Sequence, residues 1–267
     1  MAQTLDSKLE NLKARIKSMN FAVIAFSGGV DSVFLAKVAF DVLGKRAIAV
    51  TAASPTHPKR ELKESRKYAK SIGIQHIVIN TEETERPGFK ENTPMRCYFC
   101  KKELFSKIRA LADERNIENV IDASNYNDLD DYRPGMMALK EMNVVSPLKD
   151  AELTKKEIRQ LSKDMGLDTW NKPAFACLAS RFPYGTEITK ENLGKVERAE
   201  DLIHNFGIKQ LRVRFHGKTA RIEAEKGEVD TLIKHSKEIV TGLKELGFVY
   251  ITLDLEGYRM GSLNEVL

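Results

Sequence analysis

Two groups of residues in this chain have types and spacings suited to chemistry. The first is Ser27-Gly28-Gly29-Val30-Asp31-Ser32, between the apolar run Phe21–Phe26 and a helical stretch from Val33. Two adjacent glycines let the backbone approach a ligand closely. A helix start offers unpaired N–H groups and the positive end of the helix dipole, which together attract anions. Ser27 and Ser32 add hydroxyl donors. Asp31 suits an anion site only if Mg²⁺ lies between them, or if it merely supports the first helical turn. The string is not a Walker A loop, because no Lys follows its last glycine.

The second group is sulfur. The chain has three cysteines: Cys97 and Cys100 in a C-x-x-C at the start of a helical stretch, and Cys177 far away. Four readings are open. The pair has thioredoxin-like spacing, but it does not sit in a βαβ setting near the start of the chain. Structural zinc would need a fourth ligand, such as a His. Three thiolates on a [4Fe–4S] cluster would leave one iron open for a substrate or a sulfide. The fourth reading is three unconnected buried thiols. The five His residues show no metal spacing.

These residues need a scaffold to hold them. Leu5, Leu9, Leu12 and Ile16 recur at helical spacing. Phe21–Phe26 reads as a strand buried on both faces, and Val33–Leu43 as a helix ended by Gly44. Ala47–Thr51, His76–Ile79, Asn119–Asp122 and Val144–Pro147 read as further strands. Lys59–Ile72, Tyr98–Asn116, Met136–Met142 and Thr154–Met165 read as helices. Strands alternating with helices predict an α/β fold, a doubly wound parallel sheet with helices on both faces. Beyond Gly185 the pattern changes: helix 190–206, paired strands 211–215 and 220–224, a helix 228–246 broken near Lys234, and a strand 249–253. The expected organisation is a domain over 1–185 and a small α+β domain over 186–267. Asn125 and Asp128 follow the fourth strand, at the carboxyl edge where open α/β sheets bind ligands. Arg212 and Arg214 alternate along a strand and share one face.

With 267 residues, 42% hydrophobic and 30% charged, the chain can bury a sizeable core. No apolar run approaches the roughly 20 residues of a membrane helix, so no membrane role and a cytoplasmic location are expected. The net charge of +5 suits anionic nucleotides as well as RNA. The C-terminal region lacks strong basic–aromatic interleaving, so nucleic acid is not expected as the partner.

The string Ser27–Ser32 resembles the PP-loop of N-type ATP pyrophosphatases, which split ATP between its α and β phosphates. That resemblance implies ATP held by Ser27, Gly28, Gly29, Val30, Asp31 and Ser32. It also implies adenosine beside Ala52, Ser54 and Ile79, with Asn125 nearby. A narrower resemblance rests on Trp170-Asn-Lys-Pro173-Ala-Phe-Ala-Cys177-Leu-Ala-Ser180-Arg181-Phe-Pro183-Tyr184-Gly185, Leu211-Arg-Val-Arg214 and Ala220-Arg-Ile-Glu223. These segments resemble the LarE family, ATP-dependent sulfur transferases that build the nickel-pincer nucleotide cofactor of lactate racemase.

What the LarE resemblance implies is specific. A carboxylate of pyridinium-3,5-biscarboxylic acid mononucleotide attacks the α-phosphate of Mg²⁺-bound ATP, and pyrophosphate leaves. Sulfur then displaces AMP and leaves a thiocarboxylate. Members with one cysteine give up its sulfur; this chain, with Cys97, Cys100 and Cys177, resembles three-cysteine members holding a [4Fe–4S] cluster. By the same resemblance Arg212, Arg214, Ser180 and Arg181 would grip the substrate's phosphate. Lys101 would steady an anion or thiolate, and Glu200, Asp128 and Asp230 are further substrate or metal candidates. A separate sulfide source would reload the cluster, and burial of a cluster at a subunit interface would favour a homo-oligomer. The alternative is a PP-loop tRNA thiolase with an iron–sulfur cluster. A non-catalytic nucleotide-binding module and an amidotransferase-fed ligase fit the sequence less well.

Overall fold

The structure is a computed structural model that describes residues 4–129, 134–173, 176–259 and 261–266. It divides into two compact units, Met1–Glu83 with Met95–Phe175, and Thr84–Pro94 with Ala176–Leu267.

The first unit runs α1 (Leu5–Ser18), β1 (Ala22–Ala25), α2 (Val30–Leu43), β2 (Ala47–Ala53), α3 (Lys59–Ile72), β3 (Gln75–Asn80), α4 (Arg96–Asp113), β4 (Asn119–Ile121), α5 (Gly135–Glu141), α6 (Pro147–Asp150) and α7 (Lys155–Asp164). Its sheet is parallel throughout, in the order β3-β2-β1-β4. The central strands are buried on both faces, as continuous apolar runs require. Ala22, Ile24, Ala47 and Ala49 join Leu12, Ile16, Phe34 and Ile158 on one face; Val23, Ile48 and Val50 join Phe105, Ile108 and Leu139 on the other. Each of the larger side chains contributes about 1.5–3 kcal/mol on burial.

Local signals explain the element ends. Gly73, at φ +83°, stops α3 by donating its N–H to the carbonyls of Ala69 and Lys70. Thr154 and Glu157 form a reciprocal capping box at the start of α7. The strand expected at Val144–Pro147 is not a strand. Only Val145 pairs, as an isolated bridge to Ile121. Pro147 has no N–H to extend a ladder and instead opens α6. The helix expected from Val33 begins at Val30, because Gly29 accepts the Val33 N–H at 3.0 Å and serves as the N-cap.

The second unit contains α8 (Lys190–His204), β5 (Leu211–His216), β6 (Thr219–Ala224), α9 (Val229–Lys234), α10 (Ser236–Glu245) and β7 (Tyr250–Leu253). The sheet order is β5-β6-β7, with β5–β6 antiparallel and β6–β7 parallel. Residues 84–94 are tied to this unit by side-chain and backbone hydrogen bonds. Asn92 Nδ2 donates to the carbonyls of Phe182 and Pro183 at 3.2 and 2.7 Å, and the Gly185 and Ile188 N–H groups bond the carbonyls of Asn92 and Lys90. The division at 175–176 therefore lies ahead of the expected position 185. Among the described residues, no helix is long and apolar enough to cross a membrane.

Candidate nucleotide site and buried arginine cluster

The strand order reverses direction between β1 and β4, and ligands of open α/β sheets bind outside the carboxyl ends at such a switch point. The loops that follow those strands, at 27–29 and 122–125, carry the predicted residues. Gly28 sits at φ +76°, where a Cβ would also come within 3.1 Å of Ser65 Cα. The Gly29 N–H donates to Ser27 Oγ at 3.3 Å, Ser27 Oγ and Ser32 Oγ lie 3.1 Å apart, and Ser32 Oγ donates to the Gly29 carbonyl at 3.1 Å. The loop is thus internally braced around the start of α2.

Beside it lies an open cleft with a cavity of about 90 Å³, lined by Ser27, Thr51, Ala52, His57, Glu61, Leu62 and Leu104 among others. Mostly apolar walls with a few polar groups suit a nucleobase. Ala52 belongs to this lining. Ser54 is instead hydrogen-bonded to Glu83, which also accepts from Thr56 Oγ1 at 2.7 Å. Ile79 is half-buried on β3 and packs on the apolar core of the α4 face. Burial pushes the His57 imidazole below its ordinary range, with Glu83 and Glu61 pulling the other way.

Asp31 occupies the first turn of α2. Burial raises its carboxyl above the usual range, Lys155 opposes this, Asp128 adds to it and the Asn125 side chain works against it. Lys155 Nζ donates to Asp31 Oδ2 at 2.6 Å. Asp31 Oδ1 is buried with no hydrogen-bond partner among the described residues. Asp31 Oδ1, with Asp128 and Asn125 nearby, could offer oxygen ligands of the kind Mg²⁺ takes. Asn125 is itself held by its own turn, its N–H bonding Asp128 Oδ2 at 3.0 Å. Within each unit, no three His, Cys, Asp or Glu side chains of the described residues gather as a ready metal cluster.

Cys97 and Cys100 lie one turn apart at the start of α4, the first exposed and the second half-buried. Lys101 reaches towards Asp122, its Nζ 3.9 Å from Oδ2. Asp122 is otherwise fixed by Ser124 Oγ at 2.5 Å and Ser146 Oγ at 2.6 Å.

In the second unit, Cys177 is a half-buried thiol at the head of a short 3₁₀ turn. Its carbonyl accepts from Ser180 Oγ at 2.8 Å and from Arg181 Nη1 at 3.1 Å. Arg181 is fully buried and grips Glu200 with two donors, Nε to Oε1 at 2.8 Å and Nη2 to Oε2 at 2.9 Å. Glu200 also accepts the Val213 N–H at 3.0 Å. Burial works against its charge, but Arg181 and these hydrogen bonds hold the Glu200 carboxyl below its ordinary range. Arg214 bonds Glu223 at 2.7 Å, the Ser180 carbonyl at 2.6 Å and Ser262 Oγ at 2.8 Å. Arg212 is buried against the Tyr258 ring, 5.0 Å from its centroid. Burial, with Arg181 adding to it, lowers the Arg212 guanidinium to about 10. Asp230 is exposed on α9. Ser180, Arg181, Glu200, Arg212 and Arg214 therefore form one buried network with Glu223, which sequence reasoning did not single out.

Sequence reasoning also missed Lys155 and Lys172. Lys172 Nζ contacts the Gly28 carbonyl at 3.2 Å, Glu61 at 2.8 Å and Glu64 at 2.5 Å. Lys155 stands outside any motif, and Lys172, though inside the Trp170–Gly185 segment, carries no local sign of a partner in the loop at 27–32.

A parallel sheet with a serine–diglycine loop leading from its first strand into a helix, beside a largely apolar cleft, defines an ATP-using enzyme of the PP-loop class. The sequence profile of the NAD synthase family matches residues 3–120. The chain is 36% identical over 265 residues to pyridinium-3,5-bisthiocarboxylic acid mononucleotide synthase of Lactiplantibacillus plantarum, covering 99% of this chain and 96% of that one. It is 46% identical over 265 residues to an uncharacterised protein of Synechocystis, covering 98% and 99%. It is 31% identical over 249 residues to an uncharacterised protein of Methanocaldococcus jannaschii, covering 93% and 94%. The chain belongs to the LarE family of PP-loop sulfurtransferases.

Proposed function

We propose that this enzyme uses ATP to activate a carboxylate of pyridinium-3,5-biscarboxylic acid mononucleotide and converts it to a thiocarboxylate. The observation that carries the reading is the braced loop at Ser27–Ser32 beside its cleft, in a chain 36% identical to a synthase of the corresponding bisthiocarboxylic acid. The loop and the N-terminus of α2 would bind the β and γ phosphates. Asp31, with Asp128 and Asn125 nearby, would hold Mg²⁺ on the phosphate oxygens. The substrate carboxylate oxygen bonds the α-phosphorus while the bond to the β-phosphate oxygen breaks, so pyrophosphate leaves and an acyl adenylate remains. A sulfur nucleophile then adds at the acyl carbon and AMP departs.

Cys97, Cys100 and Cys177 suit a three-thiolate donor set, since none of them is sealed into a core. These three would hold a [4Fe–4S] cluster. Such a group, when bound, would supply exchangeable sulfide at the iron that no cysteine holds. In the second unit, the Arg212–Arg214 face would recognise the substrate phosphate, with the Arg181–Glu200 pair fixing the framework.

Anaerobic purification with iron and sulfide analysis tests the sulfur source. Cluster absorption lost on Cys97→Ala, Cys100→Ala or Cys177→Ala supports this reading. Zinc alone, or dehydroalanine at Cys177 after turnover, overturns it. Pyrophosphate release stimulated by the pyridinium mononucleotide and not by tRNA supports the acceptor; the reverse favours a tRNA thiolase.

A further inference from the structure

Lys172 ends a turn well beyond the phosphate loop, yet its ammonium lies against that loop. Its Nζ is 3.2 Å from the Gly28 carbonyl oxygen. Two carboxylates of α3 hold it there, Glu61 at 2.8 Å and Glu64 at 2.5 Å, with the Tyr68 ring 5.3 Å away. Its backbone is also pinned: Arg159 donates to the Lys172 carbonyl at 2.7 Å and to that of Trp170 at 2.6 Å. The side chain is only 13% exposed. A lysine held this firmly at both ends does more than decorate a surface.

The carbonyl it contacts belongs to the peptide between two glycines. In a trans peptide the C=O and the following N–H point in opposite directions. With the Gly28 oxygen on Lys172, the Gly29 N–H is turned to the other side, where it meets Ser27 Oγ at 3.3 Å. The two glycines do not fix this orientation by themselves, because they accept either sign of φ at little cost.

We propose that Lys172 is a positioning residue for the nucleotide loop, locking the Gly28–Gly29 peptide so that the Gly29 N–H and the start of α2 face the phosphates. The inference rests on the reading of this loop as the ATP site. The rival explanation is that Lys172 only neutralises Glu61, which lines the cleft, and Glu64.

Calorimetric titration with Mg·ATP, pyrophosphate and adenosine separates these. Lys172→Met is expected to weaken ATP and pyrophosphate about tenfold or more, the loss of a charged hydrogen bond, with adenosine within about twofold. The triple variant Lys172→Met, Glu61→Gln, Glu64→Gln leaves no unpaired carboxylate, so it folds without a new buried charge, and it is expected to keep most of the loss. Lys172→Arg, which retains a charged donor, is expected to regain most of the affinity. Full ATP affinity in Lys172→Met or in the triple variant overturns the proposal, as does a parallel fall in adenosine affinity. Wild-type protein that binds neither ATP nor pyrophosphate overturns the ATP reading itself, and this inference with it.

Discussion

The buried pair Arg181–Glu200 offers the sharpest test of how the second unit is held together. Glu200→Gln keeps the shape of the side chain and an oxygen for the Val213 N–H, but removes the charge. Arg181 is fully buried, so its guanidinium would be left without its counter-ion. Breaking a buried pair by removing one partner costs about 3–5 kcal/mol. At roughly 2–4 °C per kcal/mol for a chain of this size, the melting temperature should fall on the order of 10 °C.

The effect has a pH signature. Glu200's carboxyl is held below its ordinary range in the folded state. Its stabilisation is therefore present above the unfolded value, about 4.3, and is lost as pH falls towards the folded one. Glutamine does not titrate. Urea unfolding at a series of pH values should show the gap between wild type and Glu200→Gln widest near neutrality and narrowing below about pH 4. The substitution should also expose Cys177 to faster alkylation, because Arg181 Nη1 fastens the Ala176 and Cys177 carbonyls at 2.7 and 3.1 Å. Arg181→Met with Glu200→Met should cost less than either single change, since no charge is then stranded. A gap below about 1 kcal/mol, or one unchanged down to pH 3, would refute the assignment of the pair as a charge-compensated strut.

Three further substitutions probe the first unit. Gly28→Ala forces a side chain into the left-handed region, at about 1–2 kcal/mol, and brings its Cβ within 3.1 Å of Ser65; ATP titration should show weaker binding, and unchanged affinity would mean the turn is not needed. Gly135→Ala would set a Cβ 2.7 Å from Lys101 Cδ; Lys101 should be displaced from Asp122, slowing pyrophosphate release while the melting temperature changes little. Thr154→Ala removes the capping box of α7 and should cost about 1 kcal/mol in urea unfolding; a neutral result would mean the cap is replaced by water.

Much of the first unit was legible because its signals are local. Gly73 stops α3 at the residue expected, and the apolar runs of β1 and β2 mark a doubly buried parallel sheet. The strand at 144–147 failed because an apolar run outweighed Pro147, whose missing N–H ends the pairing after one bridge. Partners distant in sequence were harder. Ser180 and Arg181 read as neighbours aimed at an anion, whereas Arg181 is engaged by Glu200 on α8. Glu223 had a usable signal: the 216–219 hairpin register sets it opposite Arg212 and diagonal to Arg214. Lys155 had none, and Lys172 had only its place in the Trp170–Gly185 segment; they lie 124 and 144 positions from the loop residues they contact.

Those two lysines also show how the nucleotide loop is supported from outside its own strand and helix. The region matched by the NAD synthase family ends at residue 120. It contains the loop, the sheet and the largely apolar cleft, which are the parts any ATP pyrophosphatase needs. Lys155 and Lys172 lie beyond it, one against Asp31 in the first turn of α2, the other against the Gly28 carbonyl. Both ammonium groups are already paired with carboxylates, so a phosphate chain entering the loop meets compensated charges rather than a bare basic patch. The loop's own amides then carry the attraction, and the lysines set its shape and the disposition of Asp31. The grip on ATP rests on the loop and sheet, while its adjustment is made by residues of the segment after β4.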